Sequence, residues 1–167
     1  IVLIPATLSA SDWPTYRGNN SRTGATAESI PNSLSLQWQY DSPAPIEMAW
    51  ASAEGRVLEG KLLGNRVKFD DAIHPAIVGN NVYFGSSVDD RLHCVDLKTG
   101  KTQWTFFTGA PIRLAPTVTD GHVYFGSDDG HVYCLKADNG TLVWRFRAGP
   151  EEDWLLARGK LISRWPV

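Results

Sequence analysis

The sequence has little that would suit a nucleic-acid-binding or membrane-spanning protein. Its 167 residues include 16 Lys and Arg against 18 Asp and Glu, which gives a formal net charge of -2. Nucleic-acid-binding domains carry a clear basic excess, so this balance predicts no nucleic-acid partner. The apolar run at residues 1–10 is too short for a transmembrane helix, which needs about 20 residues.

The sequence also lacks the short motifs that mark common catalytic and metal sites. It contains no Walker loop, no nucleophile elbow, no Cys-x-x-Cys pair and no zinc-type spacing among its four His residues. The acidic pairs Asp89-Asp90 and Asp128-Asp129 do not have the spacing of a calcium loop, and turn formation accounts for them. We therefore expect no catalytic residue and no metal site in these residues.

The first ten residues, 1–10, are apolar and then small, before Ser11 and Asp12 turn polar. This pattern is typical of the end of a secretory signal, with a cleavage site near Ala10. The alternative is a buried first strand. The sequence predicts an exported, extracytoplasmic protein, whose polar N-terminal segment covers residues 11–35.

Two stretches of the sequence are copies of each other. Residues 75–110 align with residues 111–149 at a spacing of about 40 residues, and both copies contain Val-Tyr-Phe-Gly-Ser and a later Trp. Each copy reads as four short strands rich in aromatic and β-branched residues, separated by Gly, Asn and Asp turns. Four antiparallel strands per 40 residues are typical of a β-propeller blade. The sequence predicts an all-β chain with two complete blades.

The remaining segments flank these two repeats. Residues 36–45 resemble the lone outer strand of a closing blade, and residues 46–74 and 150–165 are insertions at which a propeller places binding surface. Residues 166–167 are predicted to start a third blade. Because propellers close with 4–8 blades, we expect a fragment of a longer propeller of up to eight blades. Its open blade faces would then favour self-association.

The Trp-containing part of each copy resembles a known repeat signature. Residues 96–104, Asp-Leu-Lys-Thr-Gly-Lys-Thr-Gln-Trp, are similar to the tryptophan-docking motif of the PQQ-type propeller family, which includes quinoprotein alcohol dehydrogenases and BamB-type outer-membrane assembly proteins. The second copy departs from it, with a turn that reads as shortened to Asp138-Asn139-Gly140. The resemblance implies that the Trp of one blade stacks on the turn of the next. The residues it assigns to this docking are Asp96, Gly100, Trp104, Asp138, Gly140 and Trp144.

Two cysteines, a histidine and an arginine are the remaining residues that bear on disulfide formation or ligand binding. Cys94 and Cys134 fall at the same place on neighbouring blades, too far apart for a disulfide, so we expect unpaired core cysteines. His74 precedes the first strand of a blade, beside the central channel, and Arg113 is predicted to project near the same channel. Both are candidate ligand-binding residues.

The resemblance leaves three functions open. The first is an extracytoplasmic, non-enzymatic scaffold that binds protein partners and the remaining blades. The resemblance implies that it lies in the periplasm or cell envelope of a bacterium. The alternatives are a PQQ-dependent oxidoreductase and an accessory propeller module of a larger multidomain exported protein. No cofactor is expected within these residues, although PQQ would suit the complete ring. One fold hosts many activities, so the repeat alone does not choose among them.

Overall fold

The computed structural model describes residues 11–30, 32–46, 56–59, 61–63, 72–157 and 159–167, and these ranges are all-β. No helix long and apolar enough to cross a membrane occurs among them. The strands are β1 (Arg56–Leu58), β2 (Lys61–Leu63), β3 (Ala76–Val78), β4 (Asn81–Gly85), β5 (Arg91–Asp96), β6 (Thr102–Phe107), β7 (Thr117–Thr119), β8 (His122–Gly126), β9 (His131–Lys136), β10 (Leu142–Arg147), β11 (Trp154–Ala157) and β12 (Lys160–Ser163).

Eight of these strands form two antiparallel four-stranded sheets in simple chain order, β3-β4-β5-β6 and β7-β8-β9-β10. The tight turns fall where the sequence supplies Gly, Asn or Asp. Gly79 and Gly121 adopt φ of 58° and 71°, the left-handed conformation that short hairpin turns require. The predicted fold class, all-β with blades of four antiparallel strands, is confirmed.

The core between the two blades is built from one row of side chains that crosses each sheet. In the first blade the register aligns Tyr83 with Cys94, and Cys94 with Trp104. This row packs against the facing side of the second blade in one hydrophobic cluster. The second blade repeats the row with Tyr124, Cys134 and Trp144 on its other side. Because no described blade covers that side, the Trp144 side chain is 42% exposed.

The two cysteines are buried and unpaired, as the repeat predicts. Each occupies the middle of its row, so the two thiols lie on different sheets. Burial raises the pKa of the Cys94 thiol to about 12, with a smaller opposing effect from its hydrogen bond to Tyr83. Cys94 is therefore a neutral, space-filling thiol at physiological pH.

Tryptophan docking joins the blades at the end opposite to the Asp-rich loops. The Trp104 indole N–H donates to the Ala137 carbonyl at 3.1 Å. The indole ring also covers Gly140, where an added Cβ would lie 2.6 Å from Trp104 Cε3. Gly140 has φ of 70°, so both its conformation and the closeness of the ring favour glycine.

A second copy of this docking involves Trp38. Its indole N–H donates to the Leu97 carbonyl at 2.7 Å, and its ring covers Gly100. Residues 36–45 pair with no strand in the described part of the chain, so their assignment as the lone outer strand of a closing blade stays a prediction. Trp38 nevertheless docks on the first blade as Trp104 docks on the second.

The second docking turn is not shortened, which corrects the sequence interpretation. Gly140 N–H donates to the Lys136 carbonyl at 2.9 Å, as Gly100 N–H donates to the Asp96 carbonyl at 2.8 Å. The equivalent of Asp96 is thus Lys136, and Asp138 is not a second copy of Asp96. The Asp96 carboxylate accepts hydrogen bonds from the Thr99 hydroxyl and N–H, which lower the pKa of Asp96.

The C-terminal residues do not start a third inner strand. Val167 N–H donates to the Ser127 carbonyl at 3.2 Å, as Ile112 N–H donates to the Ser86 carbonyl at 3.2 Å. Ile112 lies in the connection that precedes β7, so Pro166-Val167 corresponds to Pro111-Ile112 and not to Pro116-Thr117. Gly85 and Gly126 make room for these connections, since an added Cβ would lie under 3.0 Å from Ile112 or Val167.

The docking contact predicts a difference between two glycine substitutions. Gly121→Ala meets nothing within 4 Å and carries only the strain of φ at 71°, which costs about 1 kcal/mol. Gly140→Ala adds a clash with Trp104 and should cost about 2 kcal/mol more. Urea denaturation followed by tryptophan fluorescence measures both, and an equal loss in the two variants would show that the indole does not stabilise the blade junction.

The raised pKa of Cys94 predicts that its thiol resists alkylation. Iodoacetamide at pH 8 should leave Cys94 unmodified in the folded chain, because the reactive thiolate is suppressed by burial. Urea-denatured chain serves as the control and should be alkylated at both cysteines. Mass spectrometry of the tryptic peptides measures the extent, and fast native labelling of Cys94 would contradict the prediction.

Candidate functional site

The N-terminal segment crosses the first strands of both blades. Trp13 forms an antiparallel bridge with Ile77 of β3, with N···O distances of 2.7 and 2.8 Å. One residue later the Pro14 carbonyl accepts from Val118 N–H of β7 at 2.8 Å. The segment therefore uses edge hydrogen-bonding groups of both inner strands, and it fixes the residues that follow it above the start of β3 and β7.

Those following residues form a compact loop, residues 15–24, that is closed by its own hydrogen bonds. Backbone N–H groups of Gly18, Arg22 and Gly24 donate to carbonyls within the loop at 2.8 to 2.9 Å. The Asn19 side chain bonds the Thr23 hydroxyl at 2.6 Å and accepts from the Thr23 N–H at 3.3 Å. These bonds hold Arg22 in a left-handed conformation with φ of 53°.

A cleft of about 350 Å³ lies between this loop and the blades. It is lined by Tyr16 and Arg22 from the loop and by His74 from the approach to β3. The Tyr16 and His74 rings meet edge to face, with centroids 5.6 Å apart. A neighbouring cleft of about 560 Å³ shares these two rings and adds Arg17. The remaining lining of the smaller cleft is Thr15, Leu114, Ala115 and Thr117.

His74 lies beside the first strand of its blade, where the sequence placed it, and its binding role stays a prediction. Arg113 lines neither cleft among the described residues, and its predicted position near the central channel stays a prediction. Its Nε donates to an Asp128 carboxylate oxygen at 2.6 Å, and both side chains are 10% exposed. Arg113 is held there because a buried carboxylate needs a cation or hydrogen bonds to offset its lost hydration.

The acidic loops act as structural supports in both blades. Asp129 accepts from the Tyr133 hydroxyl at 2.6 Å and from Gly109 N–H at 2.9 Å. In the first blade the Asp89 carboxylate hydrogen-bonds the His93 ring, with 3.1 Å between Asp89 Oδ2 and His93 Nε2. Burial opposes ionisation of Asp89, yet hydrogen bonds from Ser86 and His93 lower its pKa overall. No group of three or more His, Cys, Asp or Glu side chains gathers in the described ranges.

Sequence reasoning missed that each of these carboxylates supports a stacked pair of rings. Phe84 stacks on His93 at 5.0 Å, and Phe125 stacks on Tyr133 at 5.2 Å, each with planes 8° apart. The signal was present, because Asp and a ring side chain recur four residues apart at the same place in both copies. The carboxylate beside a stacked pair of rings is thus a structural feature of the repeat, and it is not evidence of a binding site.

The insertion over residues 150–165 forms a hairpin, β11–β12, anchored to both blades. The Lys160 ammonium donates to Asp90 at 2.6 Å and to the Val88 carbonyl at 3.1 Å. At its other end Ser163 N–H donates to the Asp128 carbonyl at 2.7 Å. The hairpin nevertheless exposes apolar side chains, with Leu156 75% and Leu161 57% accessible. These two leucines are cross-strand partners.

The chain is similar to known proteins of the propeller type. A family model described as outer membrane protein assembly factor BamB matches residues 31–162. The chain belongs to this family. It is 29% identical over 113 residues to BamB of Escherichia coli K12, covering 62% of the chain and 26% of that protein.

The chain is also similar to quinoprotein alcohol dehydrogenases. Quinohemoprotein alcohol dehydrogenase ADH IIB of Pseudomonas putida is 38% identical over 91 residues, covering 48% of the chain and 13% of the enzyme. The structure of a quinohemoprotein alcohol dehydrogenase from Comamonas testosteroni superposes with a TM-score of 0.53 at 20% identity, over 82% of the chain and 19% of the enzyme. This structural likeness shows the propeller fold alone. The chain spans about a quarter or less of each of these relatives.

The Arg113–Asp128 pair predicts a large stability loss on truncation. Arg113→Ala leaves a nearly buried carboxylate without its cation, which should cost about 3 kcal/mol. Arg147→Ala is the matched control, because its pair with Glu152 is 42% and 60% exposed and should contribute under about 1 kcal/mol. Urea denaturation compares the two, and similar small losses would show that Arg113 does not stabilise the connection.

Proposed function

We propose that the chain is part of an extracytoplasmic, non-enzymatic propeller scaffold that binds a partner protein through its β11–β12 hairpin. The observation that carries this proposal is the exposed Leu156–Leu161 pair on a hairpin that is fixed to two blades. Recognition loops commonly sit on such rigid scaffolds. Membership of the BamB family supports a binding role, and the signal-like residues 1–10 support export.

The hairpin is built to stay in place while it presents apolar surface. Lys160 is 22% exposed and its partner Asp90 33% exposed, so this ion pair is partly shielded from water. The Trp154 ring lies against Gly109, 3.6 Å from the position of an added Cβ. The hairpin is therefore already ordered before a partner binds, so binding loses less conformational entropy and the affinity is higher.

The partner that suits this hairpin is an extended apolar segment of another protein. Within the described residues β11 and β12 pair only with each other, so β11 keeps one edge of backbone N–H and C=O groups, whereas the outer edge of β12 is partly used by the Ser163–Asp128 hydrogen bond. An added strand would satisfy these groups, and its apolar side chains would cover the leucines. Arg147–Glu152 and Arg164–Asp153 pairs at the base of the hairpin balance the charge there.

The quinoprotein relatives favour a second function, PQQ-dependent oxidation. The resemblance implies that this chemistry needs a stacking surface and Ca²⁺ ligands. The described residues gather no set of carboxylates for Ca²⁺, so they do not fit the complete cofactor site. A quinone absorption band and dye-linked alcohol oxidation after addition of PQQ and Ca²⁺ would favour the oxidoreductase over the scaffold.

Charge substitutions on the hairpin test the scaffold function. The double variant Leu156→Asp, Leu161→Asp should lose co-purifying envelope proteins by about tenfold or more, because carboxylates cannot be buried in an apolar interface without cost. The measurement is quantitative mass spectrometry of proteins cross-linked to the tagged chain in its native host.

The matched control is Leu34→Asp, which changes a leucine that is 79% exposed on the N-terminal segment. Circular dichroism and urea denaturation check that all variants remain folded. The scaffold proposal fails if the hairpin variant and the control retain the same cross-linked proteins in the same amounts.

A further inference from the structure

Among the described residues, the lining of the smaller cleft combines a cation with hydroxyl and ring donors and includes no carboxylate. Arg22 and His74 line it, and the adjoining cleft adds Arg17. Neither Arg17 nor Arg22 makes an ion pair with any described residue. A cleft with this excess of donors attracts an anion, because its guanidinium would gain charge-assisted hydrogen bonds.

The loop backbone, the two rings and the hydroxyl pair of the cleft are held in position before a ligand binds. Arg22 projects from a loop closed by the Asn19–Thr23 bonds, and His74 is fixed edge-on to Tyr16. The Thr15 and Thr117 hydroxyls bond each other at 2.7 Å. Only one hydroxyl proton is used in that bond, so the second is available to donate to a ligand oxygen.

The rest of the cleft is apolar and of small-molecule size. Leu114 and Ala115 line it beside the Tyr16 ring, and Leu114 is 59% exposed. A volume of about 350 Å³ lies at the lower end of the range for small-molecule sites. An anion with a flat apolar body would place its ring between Tyr16 and Leu114 and its charge at Arg22.

We propose that this cleft binds the carboxylate of a small organic acid with a planar apolar body, held by Arg22, His74 and the Thr15–Thr117 hydroxyl pair. The guanidinium matches a carboxylate with two parallel N–H···O bonds, and the hydroxyl proton supplies a third donor. The same carboxylate chemistry is present in a free acid and at the C-terminus of a peptide. This inference is independent of the hairpin and goes beyond the scaffold function.

The test is a titration of the ¹⁵N-labelled chain followed by NMR, with benzoate as the probe. Benzoate should bind saturably, with a Kd below about 10 mM, and should shift the amide signals of Tyr16, Arg22 and His74. Benzamide has the same ring without the charge and should bind at least about tenfold more weakly. An acetylated tripeptide ending in Phe distinguishes the two sources of the carboxylate. Tighter binding of the tripeptide assigns the carboxylate to a peptide C-terminus. Tighter binding of benzoate assigns it to a free acid.

Two variants and one control locate the binding. Arg22→Gln and His74→Ala should each weaken benzoate binding by about tenfold, because the first removes the cation and the second removes the ring N–H donor. Arg164→Gln removes an exposed arginine outside the cleft lining and should leave the affinity unchanged. The proposal is overturned if benzoate and benzamide bind alike, if inorganic phosphate binds as tightly as benzoate, or if all three variants behave alike.

Discussion

The stacking of a tryptophan over a glycine turn is the contact on which the rest of the structure depends. Trp104 joins the outer strand of one blade to the turn of the next through a hydrogen bond to Ala137 and a ring over Gly140. Trp38 makes the same contact with Leu97 and Gly100. The Trp104 contact fixes one blade relative to its neighbour at the outer edge, and the Trp38 contact fixes the segment around Trp38 on the first blade. The Tyr-Cys-Trp row fills the space between the two sheets.

This fixed spacing of the blades is also what creates the cleft. The N-terminal segment binds Ile77 and Val118 through backbone hydrogen bonds, and these residues lie on different blades. The segment spans both strands only when the blades keep their relative position. Loop residues 15–24 are therefore placed by the blade junction, although they belong to neither repeat. Polar donors in the cleft depend in this way on apolar packing at the far edge of the sheets.

The repeat made most of the fold predictable, because the two copies agree in strands, turns and buried rows. The unpaired cysteines and the position of His74 followed from that alignment alone. Contacts between the repeats and unrepeated segments were not predictable, since Trp13 and Ile77 are distant in sequence and nothing in either residue selects the other. The ion pair of Arg113 was not predictable for a similar reason: its partner Asp128 follows a different strand, and turn formation already explained that aspartate.

The two candidate surfaces lie at the same end of the blades, and the topology explains why. Thr108 N–H donates to the Asp90 carbonyl at 3.0 Å, so the connection between blades and the loop between the second and third strands meet at one end. The hairpin is an insertion in such a connection, and His74 and Leu114 precede inner strands at that same end. At the opposite end the turns hold the docked indoles. Because docking occupies that opposite end, insertions at the connections change the binding surface while the blade junctions stay intact.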